Sequence, residues 1–185
     1  MTTTSPPVVP ASAAPSRSVP PTRSPQRRSG PVLRTSYPGI SRLVIVESSL
    51  NQMPAGITAL NTVAAYTSAL ATVTLDGTIE PARRLASRSC TSCQSDIKRI
   101  GGYIDKHQTA VGTDGKLSRW TSVALFLRSI SDSGLATVEF DGTEATLQLR
   151  SSSGTVLAQQ AGDVISDDEI VQTGLNPRIT AEVSR

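Results

Sequence analysis

The hydrophobic and polar positions of the chain fall into two regions. Apolar residues are sparse and unpatterned through residues 1–42, and they become dense from residue 43 onward. A β-branched run at 42–47 predicts a strand, and the mostly apolar segment 120–130 predicts a buried one. Shorter strands are expected at 155–158 and 179–183. The folded part of the chain is therefore expected to span residues 43–185.

Strict alternation marks two further segments. The segment 57–75 ends with apolar residues alternating with threonines and is followed by Asp76-Gly77, a strong turn signal. The segment 135–149 alternates on both sides of Asp141-Gly142 and predicts a β-hairpin. Residues 68–78 and 133–143 are identical at eight of eleven positions. Convergence on a common strand-and-turn sequence is the favoured explanation, and a duplicated unit remains open.

One helical insertion interrupts the predicted strands. Pro81 suits the first position of a helix. Few strand formers occur in 82–100, and Gly101-Gly102 is expected to end the helix. The acidic stretch 163–169 is expected to be a loop. Together these features predict an all-β domain, an antiparallel β-sandwich with one helical insertion.

Composition sets the N-terminal region apart. Residues 1–39 contain nine of the twelve prolines, which donate no backbone hydrogen bond. With so few apolar side chains, the segment cannot offset its ordering entropy by burial. We therefore expect residues 1–42 to form a disordered arm rich in proline, serine and arginine.

The charge of this arm is its clearest property. No acidic residue precedes Glu47, and the arm contains six arginines and no lysine. Since the whole chain has 18 basic and 15 acidic residues, the arm carries +6 and the remainder 12 minus 15, or −3. Arginine binds phosphate through a permanently charged fork. We therefore expect sequence-independent binding of single-stranded RNA by the arm arginines Arg17, Arg23, Arg27, Arg28, Arg34 and Arg42.

A second basic group lies in the predicted helical insertion. Arg83, Arg84 and Arg88 occur close together, and the last two are four residues apart, on one face of a helix. A solvated helix face is the simpler interpretation. The alternative is that this face extends the phosphate-binding surface of the arm.

No catalytic motif is present, so no enzyme activity is expected. The single histidine, His107, follows Cys90-Thr-Ser-Cys93, which is the one metal-like pattern in the chain. Its spacing does not fit a zinc finger, and the neighbouring residues do not suit a redox pair. Two ordinary thiols are favoured, with no metal and no cofactor, although zinc or redox use remains open.

A basic, proline-rich arm before a strand-rich domain resembles the layout of coat proteins from small positive-strand RNA viruses of plants, such as bromovirus-related ones. The resemblance implies a jelly-roll shell domain, self-assembly into a capsid (a homo-oligomer) and RNA neutralised by the arm. It also implies a location in the virion and the host cytoplasm. The apolar runs are too short to span a bilayer, so no membrane partner is expected. A non-capsid RNA-binding protein (a silencing suppressor or movement factor) and a β-rich module with a proline-rich arm remain alternatives.

Overall fold

The structure is a computed structural model that describes residues 30–113 and 119–185. Three helices follow one short strand and a 3-10 turn at Ser49–Gln52. Seven strands then complete the domain. In chain order the elements are β1 (Leu43–Ile45), α1 (Pro54–Asp76), α2 (Glu80–Leu85), α3 (Thr91–Asp105), β2 (Thr109–Gly112), β3 (Trp120–Ile130), β4 (Leu135–Glu144), β5 (Leu147–Arg150), β6 (Val156–Gln160), β7 (Val164–Gln172) and β8 (Arg178–Ser184).

The strands form two sheets. The larger has the order β1-β3-β4-β7-β8, and the smaller has the order β2-β5-β6. Strand β1 runs parallel to β3, and the other neighbours are antiparallel. The described domain is therefore β-rich, but its helical share is sizeable. The strands predicted at 42–47, 120–130, 155–158 and 179–183 are confirmed, with small shifts at their ends.

The segment 57–75, which the alternation predicts as a strand, lies in helix α1, and that prediction is wrong. The helix begins with Pro54 at its first position, and Gly77 ends it with φ +66°. The Gly77 N–H donates to the Val73 carbonyl at 3.0 Å, so Asp76-Gly77 caps a helix and does not turn a hairpin. The many alanines of α1 favour a helix, and their small side chains let α1 pack closely on the sheet.

The hairpin predicted around Asp141-Gly142 is also wrong. Strand β4 continues through both residues to Glu144 and pairs with β3 and β7, whereas β5 belongs to the other sheet. A Cβ on Gly142 would lie 2.5 Å from the Trp120 ring. Glycine is therefore required there because the indole packs directly on the backbone.

The predicted helical insertion consists of two helices. The chain leaves α2 at Ala86, which forms a bridge with Ile179 of β8, and α3 begins after Cys90. Gly101 and Gly102 lie inside α3 and do not end it. The acidic stretch 163–169 is not a loop, because nearly all of it belongs to β7.

The core lies between the larger sheet and helix α1. Fully buried side chains from β3, β4 and β7 meet the buried face of α1; they include Val123, Leu125, Leu127, Val138, Val171, Leu60 and Val63. Helices α1 and α3, rather than the smaller sheet, cover the inner face of the larger sheet. The antiparallel sandwich of jelly-roll type is therefore not confirmed. None of the helices in these ranges has the length and apolar character needed to cross a membrane.

Candidate functional site

Four of the six arm arginines (Arg17, Arg23, Arg27 and Arg28) lie outside the described residues. The other two are Arg34 and Arg42, which the sequence analysis assigns to the arm. Residues 30–42 pack against the domain: Tyr37 is buried, and Leu33 contacts the core. The prediction of disorder therefore stays a prediction for residues 1–29 alone.

Arg34 is held beside helix α1 by its backbone. Its N–H donates to Asn61 Oδ1 at 3.0 Å, and the Asn61 amide donates to the Val32 carbonyl at 2.8 Å. The Tyr37 hydroxyl donates to the same Asn61 Oδ1 at 3.2 Å. Arg34 is exposed and lines a surface groove together with Leu85 of α2. The segment that continues from residues 1–29 therefore joins the domain next to α2.

Helix α2 carries Arg83 and Arg84 of the second predicted basic group, whereas Arg88 lies in the turn between α2 and α3. The prediction that Arg84 and Arg88 share one helix face is therefore wrong. Arg83 forms an exposed ion pair with Glu80 at 2.8 Å, which offsets its charge. Arg84 and Arg88 are also exposed, and neither has an ion-pair partner among residues 30–113 and 119–185. The charge left free to meet a phosphate on this surface comes from Arg34, Arg84 and Arg88. We call these three residues the α2 basic surface.

The fold separates Arg42 from this surface. Arg42 immediately precedes β1, at one edge of the larger sheet, whereas Ala86 after α2 bridges to β8 at the opposite edge. Five strands spaced about 4.8 Å apart place these edges roughly 19 Å from each other. Arg42 and the α2 basic surface therefore lie at opposite edges of the larger sheet.

The two cysteines form a disulfide, so the prediction of two ordinary thiols is wrong. Cys90 is the N-cap of α3, and its Sγ accepts a hydrogen bond from the Cys93 N–H at 3.3 Å. Both side chains are fully buried. His107 is exposed beyond the far end of α3, about 20 Å from Cys93 at 1.5 Å per residue, so the Cys–His pattern does not converge.

Two carboxylates, one buried (Glu169) and one half-buried (Glu182), lie on the strands beside α3. Glu169 and Glu182 are directly opposite each other on β7 and β8. One carboxylate oxygen of Glu182 and the two cysteine sulfurs lie within 4.8 Å of one another. We call Cys90, Cys93, Glu169 and Glu182 the cysteine–glutamate cluster.

The electrostatics of this cluster are unusual. Burial raises the pKa of Glu169 well above its ordinary value of 4.5, and the negative charge of Glu182 adds to that rise. Burial likewise raises the pKa of Glu182, although a hydrogen bond from Ser92 opposes the rise. Each carboxylate therefore needs either a proton or a positive charge to be stable in place.

The glutamates of the cluster are not among the residues predicted from the sequence. Its acidic stretch 163–169 reads as a loop by charge alone. The sequence does contain a signal for Glu169. Ile165, Glu169 and Val171 fall on the same face of a strand, because side chains two residues apart point the same way. This pattern fits a strand with a carboxylate on its buried side. Glu182 can be identified as part of the cluster only from its pairing with Glu169 across β7 and β8, and the sequence alone does not give that pairing.

A small apolar cavity lies between α1, α3 and the smaller sheet. Its volume is about 100 Å³, and its lining includes Leu70, Tyr103 and Leu149. Arg119 reaches its wall but is already paired with the buried carboxylate of Glu144 at 2.7 Å. Pockets for small molecules usually span several hundred Å³, so this cavity is too small to define a ligand site.

The chain matches no protein-family model, no curated protein and no solved structure.

Proposed function

We propose that the protein binds single-stranded RNA through its N-terminal arginines and the adjoining α2 basic surface, and that it assembles around the RNA as a coat-type protein. One observation carries the proposal. Six arginines and no acidic residue occur before Glu47, and the described end of that segment shares a groove with Leu85 of α2, the helix that carries exposed Arg84.

Placement matters because phosphate binding is additive in charge. Each arginine that neutralises a phosphate releases a condensed counterion, and this release drives the association. An arm that leaves the domain next to a basic surface allows one strand to follow both. Arginine forks also accept phosphates in many orientations, so the binding requires no particular sequence.

The surface of the domain supports the assembly part of the proposal. Strand β6 is an edge of the smaller sheet, and all five of its residues are exposed. An exposed edge strand offers unpaired backbone groups to a second chain. Assembly in this way does not depend on a jelly-roll shell, which the resemblance implies and which is the finer part of the proposal.

The first experiment replaces Arg17, Arg23, Arg27 and Arg28 together by glutamine in the full chain. Binding to a fluorescent oligouridylate is measured by anisotropy over a range of salt concentrations. The seven arginines of the proposal, four at 17–28 and three in the α2 basic surface, give a log–log slope of about −5 for the wild type, and the three that remain give about −2 for the glutamine variant. The matched control replaces the same four residues by lysine, which preserves charge, and is expected to keep a slope near that of the wild type.

Two outcomes contradict the proposal in different places. Equal affinity and slope for the wild type and the glutamine variant would show that the arm does not bind RNA. Retention of a monomeric mass in light scattering when RNA is bound would remove the coat role and leave RNA binding intact. Electron microscopy of the protein with its co-purified nucleic acid gives the direct readout of assembly.

A further inference from the structure

Three members of the cysteine–glutamate cluster, Cys90, Cys93 and Glu182, have the composition and the spacing of a metal site. Zinc binds cysteine sulfur at about 2.3 Å and carboxylate oxygen at about 2.0–2.2 Å in tetrahedral sites. Ligand atoms on such a sphere lie roughly 3–4 Å from each other. The sulfurs of Cys90 and Cys93 and an oxygen of Glu182 are already within 4.8 Å of one another, so small side-chain movements suffice.

Glu169 supplies an independent indication of a missing ligand. Its side chain is on the same face of the sheet as that of Glu182, and the residue is only 5 % exposed. Its Oε2 is buried and has no hydrogen-bond partner within the described part of the chain. A buried carboxylate without a partner is costly, because it gives up its hydration and gains nothing in return.

No positive side chain in the described ranges compensates these carboxylates. The groups that act on them are Ser92, Asp96 and Asp167, none of which is cationic. Tyr66 lies in the same region and carries no positive charge. The guanidinium of Arg119 forms its ion pair with Glu144. A bound divalent cation would satisfy the cluster.

The helix terminus favours cysteine as a thiolate ligand. Cys90 caps α3, where the N-terminal N–H groups carry a partial positive charge that favours a nearby anionic ligand. The Cys93 N–H already points at the Cys90 sulfur. The same hydrogen bond would stabilise a sulfur that coordinates a metal.

We propose that reduction of the Cys90–Cys93 disulfide creates a zinc site whose ligands are Cys90, Cys93, Glu182 and Glu169. A thiol reductant supplies two electrons and two protons: the S–S bond breaks, two cysteine thiols form, and the reductant becomes a disulfide. Zinc then displaces one proton from each thiol, and from any carboxyl group that holds one, into solvent. Four protein ligands leave no open position, so the site is structural.

The two states of the cluster connect different parts of the fold. The disulfide joins residues only three apart in the chain, at the start of α3. The zinc site would instead join α3 to β7 and β8, which come much later in the sequence. Reduction in the presence of zinc therefore exchanges a local cross-link for one that holds α3 on the sheet.

The test uses Co²⁺ as a spectroscopic substitute for zinc in the full chain. The protein is reduced with a phosphine, which does not compete for the metal as a thiol would, and is titrated without oxygen. The reduced wild type is expected to bind one Co²⁺ per chain, with a thiolate-to-cobalt charge-transfer band and the visible absorption of tetrahedral Co²⁺. The oxidised protein is expected to show neither signal.

Variants then assign the carboxylate ligands. Glu182→Gln and Glu169→Gln are each expected to weaken Co²⁺ binding by more than about tenfold, since even outer-shell partners of metal ligands contribute about 10–100-fold. The matched control is Asp105→Asn, which changes an exposed carboxylate at the other end of α3. It is expected to bind Co²⁺ as the wild type does.

A second readout separates loss of binding from loss of folding. Trp120 is buried in the core, so its fluorescence reports whether each reduced variant is folded before metal is added. Zinc is expected to raise the melting temperature of the reduced wild type and not that of the glutamine variants. Absence of stoichiometric Co²⁺ binding to the reduced wild type, folded or unfolded, would overturn the proposal. Equal affinity of both glutamine variants and the control would overturn the carboxylate assignment.

Discussion

At the scale of single residues, the outer face of the larger sheet carries a compact charge network. Glu139 on β4 accepts from Arg185 at 2.5 Å and from Arg128 at 2.6 Å. Arg185 also pairs with Asp141 at 2.8 Å. The hydrogen bonds from Arg185, and then those from Arg128, lower the pKa of Glu139 below its ordinary value of 4.5. The network therefore favours the ionised form of Glu139 in the folded protein.

This shift predicts a specific pH dependence for Glu139→Gln. Because the folded pKa of Glu139 is below the unfolded one, the unfolded chain binds more protons at acidic pH. The stabilisation by ionised Glu139 is thus complete above about pH 4.5 and is lost as the pH falls through the folded pKa. We expect urea denaturation to show a less stable variant at pH 7 and a shrinking difference as the pH falls below 4.5.

Glu47→Gln provides the comparison for this measurement. Glu47 is exposed after β1 and has no ion pair within the described part of the chain. Its replacement is expected to leave the denaturation midpoint nearly unchanged at both pH values. A constant difference between Glu139→Gln and the wild type at all pH values would show that the effect is not ionic.

At the scale of elements, one nearly repeated sequence adopts two structures. Residues 68–78 complete helix α1, whereas residues 133–143 form the turn and most of strand β4. The first copy continues an alanine-rich helix that Pro54 has already begun, so the hydrogen bonds of the preceding turns extend into it. The second copy follows β3 through Gly134 at φ +77° and pairs with both β3 and β7. Its neighbours, rather than its own residues, decide its structure.

The same contrast explains which parts of the fold and of the cluster were predictable. Strand 120–130 is mostly apolar, and the β-branched residues Thr155 and Val156 mark the start of β6, so local patterning finds both strands. The C-terminal part of helix α1 alternates like a strand. Only the length of the segment and its capping residues, Pro54 and Gly77, indicate that it is a helix. The cysteine–glutamate cluster depends on the register of β7 with β8 and on α3 packing beside β8, which are long-range pairings. The charge of the arm, in contrast, does not depend on the fold and can be counted from the sequence.

The correction of α3 leads to a prediction about its glycines. Gly101 and Gly102 lie inside the helix, and a Cβ on either would meet no atom within 4 Å. Each substitution Gly101→Ala and Gly102→Ala is therefore expected to stabilise the protein by about 0.5–1 kcal/mol. Chemical denaturation measures this gain.

Gly142→Ala serves as the opposite case in the same assay. Its Cβ would lie 2.5 Å from Trp120 and 2.7 Å from Phe140, whose rings pack edge to face. Overpacking there is expected to cost about 1–3 kcal/mol. Stabilisation by Gly142→Ala, or loss of stability in both helix variants, would contradict the packing described for β3 and β4 or for α3.

At the scale of the whole molecule, the open edges of the sheets matter most for the proposed assembly. The two edges of the larger sheet are short or irregular: β1 has three residues, and the pairing of β8 with β7 shifts register after Ile170. Strand β6 pairs with β5 with one register shift, which leaves Leu157 without a partner, and all five of its residues are exposed. Val156 and Leu157 there are each about half exposed. An apolar, unpaired edge of this kind favours addition of a strand from a second chain.

Leu157→Lys tests that edge directly. A lysine on an edge strand opposes pairing, because each added strand would bring like charges together and bury a hydrated ammonium group. We expect light scattering to show weaker self-association of this variant, both alone and with single-stranded RNA. The matched control is Leu175→Lys, since Leu175 is fully exposed in the turn before β8 and belongs to no strand. Equal association of both variants and the wild type would place the assembly contact elsewhere on the domain. If the wild type and both variants remain monomeric while RNA is bound, the phosphate-binding role is retained and the coat role is excluded.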